Sequence, residues 1–246
     1  MHKGTYRIAD TVVEICSIYT EVHDMCADYA VECADIEVSI TTTQEDIEWE
    51  DKKSDSSRAY EGLPPYKFSA SYLETLAVYR KLVDALSAKD ILLVHGSAIA
   101  VDSEAYLFTA KSGTGKSTHT QLWMRAFAQR AVMINDDKPL LRISDEEVTI
   151  YGTPWDGKHH RSSNVKYPLK AICIVNRGLA NHIAKTDAES AFPLLWQQTY
   201  RSANPLIIPK TLTLVQKLSS KVALYNLHCN MHPDAATVAY NGMNGE

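Results

Sequence analysis

One stretch constrains this chain more than any other: Tyr106-Leu107-Phe108-Thr109-Ala110-Lys111-Ser112-Gly113-Thr114-Gly115-Lys116-Ser117-Thr118. An apolar run rich in aromatics passes into a turn ending in Gly-Lys-Ser, and the spacing predicts a helix over residues 118–129. Gly113 and Gly115 permit backbone conformations that a Cβ resists. Successive N–H groups from Ser112 through Thr118 can then converge on phosphate oxygens, ahead of the positive end of the helix. The pattern reads as a phosphate-binding loop, in which Lys116 reaches the β- and γ-phosphates and Ser117 holds Mg²⁺. Ala110 stands where the G-x-x-x-x-G-K-[ST] pattern has its first glycine, a change that costs little if φ there stays negative.

With 246 residues, 45% of them apolar, the chain can bury a sizeable core as one large domain or as a core with an appendage. Its 25 basic and 30 acidic residues give a net charge of −5, which offers no electrostatic footprint for nucleic acid or an anionic membrane. An anionic ligand must therefore be met locally. Five cysteines (Cys16, Cys26, Cys33, Cys173 and Cys229), odd in number and without paired metal spacing, point with the absence of an apolar leader to a reduced cytoplasm. No run approaches the roughly 18–20 apolar residues of a membrane span.

From the N-terminus, residues 6–18 read as a strand, 19–33 as a short helix, 36–41 as a strictly alternating strand and 44–55 as an acidic surface loop. Gly62-Leu63-Pro64-Pro65 closes this unit, so residues 1–65 form a small α+β appendage and residues 66–246 the core. Ser71 and Glu74 suggest a capping box at the head of a helix with an apolar stripe. Residues 91–94 begin a strand that continues past His95-Gly96 through residues 97–101, and Asp102-Ser103-Glu104 is a hairpin-length link to residues 105–109.

After the helix, the buried strand 131–134 stops at Asn135-Asp136-Asp137. A strand ending in Asp at the same edge as a phosphate loop places a carboxylate on Mg²⁺. Two adjacent carboxylates permit two jobs, one on the metal and one accepting the proton of an attacking hydroxyl. Consecutive side chains of a strand point to opposite faces, so both can act only if the strand breaks there, as Lys138-Pro139 suggests.

His95-Gly96, the hairpin, the loop ending in Gly115-Lys116-Ser117, the helix and Asn135-Asp136-Asp137 together resemble the core of the HPr kinase/phosphorylase family. That family's nucleotide-binding fold is similar to PEP carboxykinase. The resemblance runs from about residue 95 to the C-terminus, including a closing strand at 222–227 and a helix at 234–243, with its motif-grade part at 95–137. It implies nucleotide binding by Gly113, Gly115, Lys116 and Ser117. It also implies Mg²⁺ binding by Ser117 with Asp136 or Asp137, and proton abstraction by Asp136 or Asp137 assisted by His95. Thr118 replaces the family's acidic residue, and no glycine-rich signature segment for the protein substrate is found. The chain looks more like the diverged relatives whose substrates are small molecules or modified peptides.

Residues 152–166 collect Gly, Pro, Trp155, Lys158, His159, His160, Arg161 and Lys166. One reading is a mobile substrate loop, with Lys158 and Arg161 supplying positive charge to a transferring phosphoryl group; the other is a surface loop anchored by Trp155. Residues 169–175 are a buried strand, 187–200 and 209–218 helices. The expectation is an α/β fold, a mixed-sheet P-loop core of the HPr kinase/PEP carboxykinase type with a small N-terminal α+β appendage. Its expected activity is ATP- and Mg²⁺-dependent phosphoryl transfer to a small-molecule or peptide hydroxyl. The alternatives are a nucleotide-binding regulatory module without turnover, or a PEP carboxykinase-like reaction. A homo-oligomer is left open.

Overall fold

The computed structural model describes residues 1–32, 35–60, 62–157 and 160–245, so Cys33, Lys158 and His159 lie outside the described residues. The chain divides into two compact units, residues 1–85 and 86–246. The division falls at residue 85 where the Gly62-Leu63-Pro64-Pro65 cluster suggested residue 65, because the helix after that cluster goes almost entirely with the first unit.

In the first unit, β1 (His2–Ile8) and β2 (Thr11–Ser17) form an antiparallel hairpin in place of the single strand expected over residues 6–18. Ala9 and Asp10, both at positive φ, make the two-residue turn at the hairpin's corner. After α1 (Glu21–Met25), β3 (Val38–Thr41) adds parallel to β2. Residues 44–55, expected as loop, belong to α2 (Gln44–Tyr60). This helix buries only Ile47 and Glu50 and so has no apolar stripe to read. It is held by ion pairs, with Arg80 on Glu50 and Asp46 at 2.7 and 3.1 Å. Arg80 comes from α3 (Ala70–Ser87), whose Leu73, Ala77, Leu82, Val83 and Leu86 are buried as the stripe predicts. The capping box is replaced: Ser69 accepts the Tyr72 N–H, and Glu74 turns inward to accept from the N–H groups of Ile18 and Tyr19 and the hydroxyl of Thr42.

The second unit is built, among the described residues, on a nine-stranded mixed sheet. Its strands and helices run in chain order as β4 (Ile91–Leu93), β5 (Ser97–Val101), β6 (Glu104–Thr109), α4 (Lys116–Phe127), β7 (Ala131–Asn135), β8 (Leu140–Ile143), β9 (Val148–Tyr151), β10 (Lys166–Arg177), β11 (His182–Thr186), α5 (Ala188–Gln198), α6 (Ile208–Lys221), β12 (Ala223–Cys229) and α7 (Asp234–Asn244). The long β10 organises the sheet. Its start pairs with β9, which leads through β8 to β4, while its remainder lies parallel between β6 and β12. Beyond β6 come β5 and then β7, each antiparallel to its neighbour, so β7 runs in the same direction as β6. The C-terminal ends of β6, β7, β10 and β12 therefore meet at one edge.

Residues 91–101 are thus two strands in distant parts of the sheet, separated by Val94-His95-Gly96. The break is fixed by backbone: the His95 N–H bonds the Gln198 carbonyl at 2.8 Å and the Gly96 N–H the Asp137 carbonyl at 3.1 Å. A Cβ on Gly96 would lie 2.8 Å from the Phe108 carbonyl, so only glycine allows this approach. Both sheet faces are covered. Ala105 and Leu107 of β6 face a cluster with Ala191 and Leu195 of α5 and Leu214 and Leu218 of α6. Tyr106 and Phe108 face one with Trp123 of α4 and Ala236 and Ala239 of α7. Cys173 is a fully buried core thiol. Among the described residues no helix is long and apolar enough to cross a membrane.

Candidate functional site

The loop between β6 and α4 takes the shape its glycines permit, with φ of 74° at Gly113 and 120° at Gly115. Ala110 is buried and its φ is not positive, so the missing first glycine is accommodated without strain. Lys116 is 8% exposed, and its ammonium donates to the Ala110 carbonyl at 3.1 Å. Burial pushes its pKa down, against the opposing charges of Asp137 and Asp136. Arg177, at the end of β10, donates to the Gly113 carbonyl at 2.6 Å and braces the loop from outside.

Opposite the loop, β7 ends because Asn135 folds back. Its amide oxygen accepts from the N–H groups of Asp137 and Lys138 at 2.9 and 2.6 Å, and its NH₂ donates to Thr153 and to the Trp155 carbonyl. That side-chain turn breaks the strand's alternation and frees the two carboxylates from opposite faces. Asp136 is 6% exposed and accepts from the Ser97 hydroxyl at 2.6 Å, which in turn meets the Thr120 hydroxyl of α4 at 2.8 Å. Asp137 faces His95, with Nε2 3.1 Å from its Oδ1, and Lys138 stands 3.6 Å from Oδ2. Burial opposes ionisation of Asp137, but the hydrogen bond from His95 and the charges of Lys138 and Lys116 outweigh it and hold the carboxyl below its usual range. His95 is fixed at its other nitrogen by Gln198, with Nδ1 2.9 Å from Oε1.

His95, Ser112, Gly113, Gly115, Lys116, Ser117, Thr118, Asp136, Asp137 and Gly157 line one cavity of about 460 Å³. Thr114 lies on the loop's outer side, facing two neighbouring cavities. Trp155 is 3% exposed, an anchor of its loop. Arg161 lines a different cavity, with Arg125 and Ser162, and does not join the phosphate loop. The reason is that Ser162 bridges to Asn135, which carries this part of the loop along the edge of β7. Lys158 lies outside the described residues. Sequence reasoning missed Ser97, Asn135, Arg177 and Gln198. Asn135 carried a signal, an Asn preceding a strand-ending Asp pair; the others are brought in by tertiary structure alone.

For a divalent cation the donor set fits: Ser117 and the two carboxylates put oxygen donors, the kind Mg²⁺ prefers, on one cavity. The set is too sparse for an all-protein cage, and among the described residues no group of three or more His, Cys, Asp or Glu forms one.

No protein-family model matches the sequence, and no curated protein does. Among solved structures, the chain is similar to the HPr(Ser) kinase/phosphatase from Coxiella burnetii at 10% identity and a TM-score of 0.34, over 62% of this chain and 97% of that one. A likeness this distant assigns neither fold family nor activity.

Proposed function

We propose that this chain is an ATP- and Mg²⁺-dependent kinase that transfers the γ-phosphoryl group to a hydroxyl of a small molecule or peptide, on a core of the HPr kinase/PEP carboxykinase type. The observation that carries the reading is the Asp137–His95 pair at 3.1 Å, lining the same cavity as Lys116 and Ser117. A carboxylate paired with an imidazole opposite a phosphate loop supports turnover over binding alone.

In this reading the N–H groups of Ser112 to Thr118 hold the phosphates and Lys116 leaves the Ala110 carbonyl for the β- and γ-oxygens. Ser117 and Asp136 would hold Mg²⁺, which supplies charge neutralisation on the β- and γ-phosphates. Asp137 accepts the acceptor's proton. The acceptor oxygen forms its bond to the γ-phosphorus, the bond to the β–γ bridging oxygen breaks, and ADP leaves. The hydroxyl proton passes to Asp137, and His95 keeps that carboxylate aimed at the acceptor. The hydrogen bond from His95 and the charges of Lys138 and Lys116 keep Asp137 ionised, the state a proton acceptor needs.

The test is phosphoryl transfer from γ-labelled ATP to pooled small-molecule and peptide hydroxyls, read beside ATP affinity. The kinase reading requires turnover in the wild type and its loss in Asp137→Asn with binding intact. Tight ATP·Mg²⁺ binding with no transfer to any acceptor, equally in both proteins, would replace it with a nucleotide-binding module.

A further inference from the structure

Beside the phosphate cavity lies a second one of about 530 Å³ that shares Gly113, Gly115 and Thr118 with it and continues over the start of α4 toward the ends of β10 and β12. One polar group inside it is underused. The indole N–H of Trp123 donates to Nε2 of His119 at 3.0 Å, and an indole nitrogen can only donate, so the neutral imidazole carries its proton on Nδ1. That Nδ1–H has the Cys229 sulfur, 4.0 Å away, as its acceptor, a weak partner for a donor on a residue only 2% exposed. Both side chains line the cavity. Leu122 and Val175 form an apolar wall and Met231, 78% exposed, stands at the mouth, while Arg177 and Asn230, which also line the cavity, are engaged with the carbonyls of Gly113 and Leu179.

We propose that this cavity receives the base and ribose of the nucleotide, with His119 Nδ1–H donating to a ring-nitrogen or carbonyl acceptor of the base and Leu122 and Met231 covering its faces. The inference rests on the nucleotide reading above and adds to it where the nucleoside lies and which side chain contacts the base. A chain of phosphates bound at Lys116 and Ser117 passes Gly115 and Thr118 on its way into this space. The neighbouring cavity of about 550 Å³, lined by Lys111, Asn176 and Leu194, touches neither Gly115 nor Thr118. A base covered by Leu122 and Met231 is gripped largely through its faces, so its affinity should survive a change of purine better than removal of the base.

Isothermal titration of the full-length protein with Mg²⁺ and either ATP or inorganic tripolyphosphate tests this. The wild type should bind ATP at least about tenfold more tightly than tripolyphosphate. Met231→Glu, at an exposed position that tolerates the change, and His119→Leu should each remove most of that difference while leaving tripolyphosphate affinity within about twofold. Leu194→Glu, in the neighbouring cavity, should leave both ligands unaffected. Should His119→Leu fail to fold, Met231→Glu decides. Equal affinity for ATP and tripolyphosphate in the wild type, or a loss of ATP affinity in Leu194→Glu but not in Met231→Glu, overturns the base site and leaves the phosphate loop standing. Failure of the wild type to bind either ligand sinks the nucleotide reading and the base site with it.

Discussion

Asp136 and Asp137 are adjacent in sequence and chemically identical, yet their surroundings differ. Ser97 occupies one oxygen of Asp136, whereas His95 and Lys138 flank Asp137. Asp137→Asn should lower transfer by about 10² to 10⁴ with ATP affinity unchanged, which steady-state kinetics and titration would read together. Gln198 acts through His95, so Gln198→Leu should lower kcat with little change in the KM for ATP. His119 supplies a separate, pH-dependent effect. Burial pushes its pKa down to about 4, so between roughly pH 6.5 and pH 4 the unfolded chain binds a proton that the folded chain refuses. More protons on the unfolded state means stability rises with pH across that window and is lost on acidification, by an amount on the order of 3 kcal/mol in full. Urea unfolding at several pH values should show this slope in the wild type and a shallower one in His119→Gln; parallel curves would mean that the imidazole is not buried as described.

At the level of elements, the site depends on where strands stop. The turn that ends β7 is made by Asn135, fully buried, with both ends of its amide engaged. Asn135→Ala removes the acceptor of the Asp137 and Lys138 N–H groups and the donor to the Thr153 carbonyl, and should cost about 2 to 4 kcal/mol in urea unfolding. It should also lower ATP turnover, because both carboxylates lose their support; unchanged turnover would detach the turn from the chemistry. The elements that sequence reasoning recovered were those with strong periodicity or punctuation, such as β6, α4 and the helix stripe Leu73, Leu82, Leu86. The ones it misplaced had neither. α2 has almost no buried face, and β4 and β5 share an unbroken apolar look across His95-Gly96 although their hydrogen-bond partners differ.

At the scale of the whole molecule, a net charge of −5 leaves an anionic ligand dependent on local structure, and the loop at the edge of the second unit supplies it. ATP with Mg²⁺ at a hundredfold excess over Kd should stabilise the unit 86–246 by about 2.7 kcal/mol, seen as a higher melting temperature and slower hydrogen exchange in β6, α4 and β7. Lys116→Ala should abolish most of that shift, and a shift that persists in this variant would place the nucleotide elsewhere. What the sequence determined by itself was local. Gly113 and Gly115 dictate the turn, and the unbroken apolar run Ala105-Tyr106-Leu107-Phe108 a buried strand, because backbone sterics and side-chain character act over a few residues. The tertiary structure alone decided that of the two aspartates His95 meets Asp137, that Gln198 backs it, that Ser97 meets Asp136, that Arg177 braces Gly113 and that Arg161 stays apart. Those pairings follow from the order and direction of strands in the sheet, and strand order is set by the packing of two covered faces, which no short stretch of sequence carries.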